Sequence, residues 1–221
     1  MENPLGIMMT KLTFYTNPMS RGRIARWMLE ETGADYETVL LHYGPEMQSD
    51  NYKAINPMMK VPAIVHGGKT VTECGAICAY LAEAFPDAGL APLPEERADY
   101  YRWMFFAAGP WEQASTNRAM GFNVPSEHSG MAGYGDFERT LATLTSILDD
   151  RPHICGDRFT AADIYVGSQI AWGVQFGTIP TTPRLTNYIS RGMARPAFQR
   201  ATEKDDAEMD GYGPETPPAN A

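Results

Sequence analysis

The segment Asn-Pro-Met-Met-Lys-Val-Pro occupies residues 56–62, and Thr-Glu-Cys-Gly-Ala-Ile-Cys-Ala-Tyr-Leu follows at residues 72–81. A proline at the start of an apolar strand is confined to the first position or to an edge, and the bond before it can be cis. Val61-Pro62 is therefore predicted to form a fixed bend that presents the Val61 main chain to an extended peptide. Glu73 and Cys74 stand where the next helix begins, so its first N–H groups are available to a carboxylate. These features predict a site for a small, acidic, peptide-like ligand.

Both segments resemble the glutathione-binding half of the cytosolic glutathione transferases, whose first domain is thioredoxin-like. The resemblance implies that the main chain of Val61, which precedes Pro62, pairs with the cysteinyl part of glutathione. It also implies that Glu73 and Cys74 hold the γ-glutamyl group. Glutathione is therefore the expected co-substrate, and Lys60 is a candidate partner of its glycyl carboxylate. The alternative for Lys60 is an exposed lysine beside a strand.

Two residues depart from the family's pattern. Met59 stands where a glycine is usual, and Cys74 stands where a serine is usual. A thiol is a weaker hydrogen-bond partner than a hydroxyl, but Cys74 still supplies a backbone N–H. We therefore expect the binding mode to be kept.

The composition limits the classes of function. The chain has 221 residues, of which 43% are hydrophobic and 11% aromatic, so it can bury the core of one large domain or of two ordinary ones. Its 18 basic and 27 acidic residues give a net charge of −9, which argues against a nucleic-acid partner. The sequence shows neither a secretion signal nor a run of transmembrane length, so we expect a cytoplasmic protein with no membrane partner.

The cysteines and histidines predict neither a disulfide framework nor a metal site. Cys74 and Cys78 lie on one predicted helix, and with Cys155 they make three cysteines that cannot all pair. This usage fits a reducing compartment. The four histidines have no ligand-like spacing with cysteines or carboxylates, so no metal is expected.

The first part of the chain has the pattern of a βαβ unit followed by ββα. Alternating strand formers predict a strand at residues 11–15, and a parallel strand at 36–41 follows a helix over 20–33. Two further strands around Gly67-Gly68 predict a hairpin, and a helix follows from about residue 74 to residue 85. We therefore predict a thioredoxin-like domain over residues 10–86.

After this domain the pattern is helical only. The predicted fold class is thus α/β plus all-α, with an all-helical domain over residues 95–204. Thr160 and Asp163 have the spacing of a capping box at the start of a buried helix, which is a structural role. Residues 205–221 are acidic and contain prolines, so they are predicted to form a mobile tail.

The chemistry that glutathione requires is ionisation of its thiol. A free thiol has a pKa near 8.5, so only about 3% of it is thiolate at pH 7. A pKa lower by roughly two units represents about 2.7 kcal/mol of preferential stabilisation of the thiolate. A hydrogen-bond donor and a helix N-terminus together can supply this. The turn between the first strand and the first helix, at residues 15–21, is where such donors belong.

Ser20 is the favoured activator because it falls at the predicted helix start. Its hydroxyl can donate to sulfur, and its own N–H can add a second contact, although an ordinary N-cap is the alternative. Asn17 is the next candidate, since its amide could donate, but Asn-Pro is also a common turn start. Tyr15 resembles the activating tyrosine of other classes in the family and is otherwise a residue that packs in the core.

The turn also resembles that of a bacterial and fungal subgroup of the transferases. This subgroup has Ser-Arg-Ser in the turn, and Gly22 replaces the second serine here. The turn contains no cysteine. Noncovalent activation of the thiolate is therefore favoured over a mixed disulfide with the enzyme.

The predicted function is conjugation of the glutathione thiolate to a hydrophobic electrophile, as in detoxification. The electrophile pocket is expected between the domains, and the candidate lining residues are Met19, Phe105, Phe106 and Trp111. The family resemblance implies a homodimer. The alternatives are a glutathione-dependent isomerase, dehalogenase or peroxidase on the same fold, and a non-catalytic glutathione-binding or regulatory protein.

Overall fold

A four-stranded sheet forms the centre of the first domain. The computed structural model describes residues 11–148 and 150–209. The strands are Leu12–Thr16 (β1), Glu37–Leu40 (β2), Ala63–His66 (β3) and Lys69–Thr72 (β4). They lie in the order β2–β1–β3–β4, with β1 parallel to β2 and antiparallel to β3, which is antiparallel to β4. This mixed sheet confirms the predicted thioredoxin-like order.

Helices cover both faces of this sheet. They are Gly22–Thr32 (α1), Asp50–Ile55 (α2) and Cys74–Ala84 (α3), followed by a 3₁₀ turn at Pro86–Ala88. Strand β1 alternates in burial, so Phe14 lies on the α1 side under Arg26, while Tyr15 lies on the other side against Tyr52 of α2. Gly33 ends α1 at a φ of 66°, a backbone conformation that glycine adopts without strain.

Where the structure describes it, the second domain is built from helices and contains no sheet strand, as predicted. They are Arg97–Phe106 (α4), Glu112–Ala119 (α5), Phe137–Ser146 (α6), Ala161–Gln175 (α7), Pro183–Met193 (α8) and Pro196–Ala207 (α9). A 3₁₀ turn lies at Ser126–His128. Helix α4 does not end at Pro110 but continues into α5 through a π-helical segment, Ala107–Trp111. Proline lacks an N–H and cannot follow the regular ladder, which accounts for the widened turn.

The capping box at the start of α7 forms as predicted. The Asp163 carboxylate accepts the Thr160 N–H at 2.9 Å, and the Thr160 hydroxyl accepts the Ala162 N–H at 3.3 Å. Asp163 also accepts hydrogen bonds from the Ile154 N–H and the Tyr188 hydroxyl. The buried carboxylate therefore joins α7 to α8 and to the preceding loop.

The two domains meet along α1 and α9. Near the C-terminal end of α1, Glu30 accepts hydrogen bonds from Arg200 and Lys204 of α9. In the middle of α1, the buried Arg26 donates to Asp205 Oδ1 at 2.8 Å and also pairs with Glu208. The middle of α1 is thus tied to the C-terminal end of α9.

This contact corrects the predicted start of the mobile tail. Helix α9 continues past Lys204 to Ala207, and Asp205 is only 1% exposed. The carboxylates that suggested a solvated tail in the sequence are here partners of arginines on α1. The prediction is therefore wrong for residues 205–209, and its remainder, residues 210–221, lies outside the described residues.

Candidate functional site

The turn after β1 places Ser20 at the start of α1. Its hydroxyl donates to the Asn17 carbonyl at 2.7 Å and accepts the Gly22 N–H at 2.9 Å. The Ser20 N–H also donates to the Asn17 carbonyl, at 3.0 Å. This N–H is therefore already bonded within the turn, and its contact with sulfur stays a prediction. Ser20 is half-buried and faces a cavity, so its hydroxyl can reach a ligand.

The two alternative activators have other surroundings. Asn17 is 1% exposed, and both ends of its amide are used, since Nδ2 donates to the Leu41 carbonyl at 2.8 Å and Oδ1 accepts the Met19 N–H at 2.9 Å. The amide thus ties the end of β1 to the segment after β2. Tyr15 lies on the far side of the sheet, with its ring centroid 5.6 Å from that of Tyr52.

Two side-chain hydrogen bonds to the Lys60 carbonyl support the bend at Val61-Pro62. The peptide bond between these residues is cis, as the sequence predicts. The carbonyl of Lys60 accepts the Tyr52 hydroxyl at 2.6 Å and Asn56 Nδ2 at 2.7 Å. Pro62 is buried, Val61 is half-buried and the Lys60 side chain is exposed. The main chain at Val61 therefore sits in a supported turn just ahead of β3.

Two residues that flank this region have left-handed backbones. Met59 has a φ of 53° and Glu73 has a φ of 65°. A side chain in this conformation is strained, which explains why glycine is the usual residue at the position of Met59. Strain of this kind is found at ligand sites, where the surrounding structure enforces it. At Glu73 it orients an exposed carboxylate directly before α3.

Cys74 joins the start of α3 to the turn that carries Ser20. Its thiol is 8% exposed and donates to the Arg21 carbonyl at 3.6 Å. A hydrogen bond with Cys74, together with burial, raises the pKa of Cys78 well above its ordinary range. Burial likewise raises the pKa of Cys155 to about 12. All three cysteines are free and buried, and the raised pKa values make Cys78 and Cys155 poor nucleophiles.

A cavity of about 820 Å³ brings several predicted site residues together. Its walls include four of them, namely Met19, Ser20, Lys60 and Val61. Cys74 lies behind this wall through its contact with Arg21, which also lines the cavity. Lys60 and Val61 of the predicted peptide site thus share one surface with the favoured activator, whereas Pro62, Glu73 and Cys74 are not among the residues that line the cavity.

Three predicted lining residues are elsewhere. Trp111 is 2% exposed and packs on Phe137 in the helical core, and Phe106 packs on Trp103 of its own helix. Phe105 points outward from α4 and is 73% exposed. None of them lines the cavity, so these predictions are wrong. The density of aromatic residues on α4 reflects packing and surface rather than the pocket.

The apolar walls come instead from α7, α8, α9 and the segment after β2. Their apolar side chains are Trp172, Phe176, Met193, Phe198, Tyr43, Met47 and Met209. None of these side chains was predicted from the sequence. One sequence signal could have indicated two of them, because Trp172 and Phe176 stand four residues apart at the end of an apolar helix and so share one face.

The described residues show neither a membrane-crossing helix nor a metal cluster. Over residues 11–148 and 150–209, every helix is too short or too polar to span a bilayer. In the same part of the chain, His, Cys, Asp and Glu side chains do not gather in a group of three or more that could hold a metal ion.

Comparisons with known proteins agree with this geometry. Residues 10–83 match the N-terminal domain of the glutathione S-transferases, and residues 113–172 match their C-terminal domain. The chain is 27% identical to glutathione S-transferase 1 of Schizosaccharomyces pombe over 215 residues, which covers 82% of this chain and 90% of that protein. It is 28% identical to maleylacetoacetate isomerase of Pseudomonas aeruginosa, over 86% of this chain and 93% of that protein.

A solved structure shares both domains. The sphingomonad glutathione S-transferase complexed with glutathione is 27% identical, with a TM-score of 0.69 over 88% of this chain and 98% of that chain. A thioredoxin-like domain joined to an all-helical one is the architecture whose two parts these family matches cover. The chain belongs to the cytosolic glutathione S-transferase family.

Proposed function

We propose that the protein binds glutathione and transfers its thiolate to an apolar electrophile, with Ser20 as the group that stabilises the thiolate. The observation that carries this proposal is the position of Ser20 on the wall of the same cavity as Lys60 and Val61. A tripeptide on that wall would place its central residue beside the serine hydroxyl. The apolar half of the cavity would then receive the electrophile.

Glutathione would be held mainly by main-chain groups. In this proposal the Val61 main chain pairs with the cysteinyl residue, while Glu73 and the N–H groups at the start of α3 hold the γ-glutamyl end. Lys60 has an exposed side chain on the cavity wall and pairs with the glycyl carboxylate. Of the lysine and arginine side chains on the described cavity wall, Arg21 pairs with Glu112 and Arg23 with Asp206, so Lys60 carries much of the attraction for that carboxylate.

The hydrogen bonds of the turn favour Ser20 over its alternatives. When the Ser20 hydroxyl turns to sulfur, the Asn17 carbonyl keeps the Ser20 N–H as its donor. The change therefore leaves no buried group unpaired, and such an exchange costs little. The Asn17 amide has a second N–H besides the one bonded to Leu41, but Asn17 is 1% exposed and is not among the residues that line the cavity. Tyr15 would have to cross the sheet.

The experiment compares Ser20→Ala with Asn17→Ala and Tyr15→Phe. Thiolate absorbance of the bound glutathione is titrated against pH, and conjugation of an aryl halide is followed at neutral pH. Loss of the activator returns the thiol to its solution pKa, so we expect Ser20→Ala to lower the rate about 20-fold near pH 7. Tyr15→Phe should leave the thiol pKa unchanged. An unaltered pKa in Ser20→Ala would remove Ser20 from the role.

A glutathione-dependent isomerase is the second candidate. The observation that favours it is the similarity to the maleylacetoacetate isomerase of Pseudomonas aeruginosa over most of both chains. In an isomerase the thiolate adds to the substrate and leaves again, so glutathione is not consumed. Measuring glutathione consumption with a conjugated diketo acid separates the two, because only conjugation depletes the thiol.

The compartment and the oligomeric state are also proposals. We propose a cytoplasmic homodimer, in which each subunit carries one site. Light scattering gives the mass that checks this assembly. A wild-type protein that binds glutathione without forming thiolate would instead be a binding or regulatory protein on the same fold.

A further inference from the structure

Arg23 bonds directly to the turn that carries Ser20. Its Nε donates to the Pro18 carbonyl at 2.7 Å, and its Nη2 donates to Asp206 Oδ1 at 2.6 Å. The Pro18 carbonyl lies two residues before Ser20, on the main chain that sets the serine's position. One guanidinium therefore joins this turn to the end of α9.

The turn has one fixed side and one side that depends on Arg23. On the fixed side, the buried Asn17 amide holds the segment after β2 and the Met19 N–H. On the other side, the chain runs along the cavity wall, and Met19 is 44% exposed. Arg23 is what restrains the main chain at Pro18 on this open side. The donors of a guanidinium form a rigid planar fork, so Arg23 bonds a carbonyl and a carboxylate in two fixed directions, whereas the donors of an ammonium rotate about one nitrogen.

The end of α9 is a firm support for that fork. Asp205, next to Asp206, is buried against Arg26, and Glu208 pairs with the same guanidinium. Asp206 itself is largely exposed, with a side-chain exposure of 60%. Its carboxylate bonds Arg23, while Asp205 and Glu208 anchor the end of the helix that carries it.

We propose that Arg23 is a positioning residue that sets Ser20 for thiolate stabilisation, and that Asp206 at the end of α9 holds Arg23 for this purpose. The inference rests on the proposed function. Arg23 acts through the main chain at Pro18, and its charge is secondary, because Arg21 and Lys60 also face the cavity as cations and Asp205 faces it as a carboxylate. The second domain thereby influences the ionisation of a thiol bound to the first.

Three variants test this assignment. Arg23→Lys keeps the charge but cannot hold both partners in the same geometry. Asp206→Ala removes the support at an exposed position of α9, and Glu203→Ala removes an exposed acid from the same helix as the matched control. For each variant, the thiol pKa of bound glutathione is titrated by its ultraviolet absorbance, and the glutathione dissociation constant is measured.

A weakened hydrogen bond from Ser20 should raise the bound thiol pKa by about one unit in Arg23→Lys and by a few tenths of a unit in Asp206→Ala. Glu203→Ala should match the wild type, and at about pH 6, where the bound thiol is mostly protonated, the dissociation constant should change less than about twofold in all three. A purely structural role would lower the melting temperature and leave the thiol pKa in place.

The outcomes distinguish failure of the positioning role of Arg23 from failure of the proposed function. Thiolate in the wild type with an unchanged pKa in Arg23→Lys overturns this inference and leaves the proposed function standing. Should Arg23→Lys fail to fold, Asp206→Ala decides, and equality with Glu203→Ala overturns the inference. A wild-type complex without thiolate overturns the proposed function and this inference with it.

Discussion

The glutathione side and the electrophile side of the candidate site are built in different ways. On the glutathione side, main-chain conformations at residues 56–62 and 72–74 form the site, with left-handed backbones at Met59 and Glu73. On the electrophile side, the walls are side chains from α7, α8 and α9 and from the segment after β2. The first is made by segments close in sequence, and the second by segments that only the folded second domain brings near.

The difference explains how each side responds to substitution. A main-chain site depends on local geometry, so side chains there can change as long as the backbone keeps its shape. Cys74 in place of serine is an example, because its N–H remains at the start of α3. A side-chain site depends on the packing of distant helices, so it changes with every residue that lines it.

The largest expected effect lies on the electrophile side, at Asp205. Burial raises the pKa of Asp205 from 3.8 to about 6, against the attraction of Arg26. Between these values the folded protein holds a proton that the unfolded chain has lost. This stabilisation is complete below about pH 4 and is lost as the pH rises through about 6.

Asp205→Asn isolates this effect because asparagine does not titrate. We expect the unfolding free energy of the wild type, minus that of the variant, to fall by about 3 kcal/mol between about pH 4 and pH 6 and to level off above. Urea unfolding at a series of pH values measures it. A difference that stays constant across this range would show that Asp205 is ionised throughout. The contact between α1 and α9 would then be held by the ion pair of Asp205 with Arg26.

The next effect lies in the Ser20 turn, at Gly22. A Cβ built at Gly22 would lie 1.9 Å from Thr16 Oγ1, a buried atom without a hydrogen-bond partner in the described part of the chain. We expect Gly22→Ala to lower the unfolding free energy by about 2 kcal/mol, since a rigid buried neighbour must move. The matched control is Gly109→Ala, which meets no atom within 4 Å. Equal stability of the two variants would show that Thr16 and the turn can move at little cost to accept the added Cβ.

A third test sets two exposed phenylalanines against each other. Phe176 and Phe105 are 74% and 73% exposed, but only Phe176 lines the cavity. An apolar electrophile should cover the Phe176 ring, so Phe176→Ala should raise the electrophile KM about fivefold to tenfold. The glutathione KM should not change, and Phe105→Ala should behave as the wild type. A larger effect at Phe105 would return the pocket to α4, where the sequence analysis placed it.

The features that the sequence predicted correctly are those formed by residues close together in the chain. The strand order, the cis bond at Pro62 and the capping box at Thr160 are recorded in contiguous residues, and the structure contains all of them. The place of Ser20 on the cavity wall also followed from its position in the turn. Each of these features rests on local chain geometry, which a sequence pattern specifies directly.

The electrophile pocket could not be found in this way. Phe105, Phe106 and Trp111 were chosen because α4 is rich in aromatic residues, but a helix of this kind has core, surface and site faces that periodicity alone does not distinguish. The prediction that residues 205–209 belong to a mobile tail was wrong for a related reason. Its carboxylates look solvated in sequence, and only the arginines of α1, far away in the chain, make them structural.

The smallest expected effect lies at Met59 and tests whether the glutathione side depends on its backbone conformation. Its φ of 53° favours glycine, so Met59→Gly should raise the unfolding free energy by about 1 kcal/mol, after the entropy that glycine adds to the unfolded chain. Met58→Gly, at the exposed neighbour without this backbone, should lower it instead. Urea unfolding compares them, and glutathione affinity is measured in parallel. If Met59→Gly gains stability and keeps its affinity, the strain is a tolerated substitution. If affinity falls while stability rises, the strained backbone helps to hold the bend at Val61 in its binding conformation, and the side chain contributes to a site that the main chain otherwise forms.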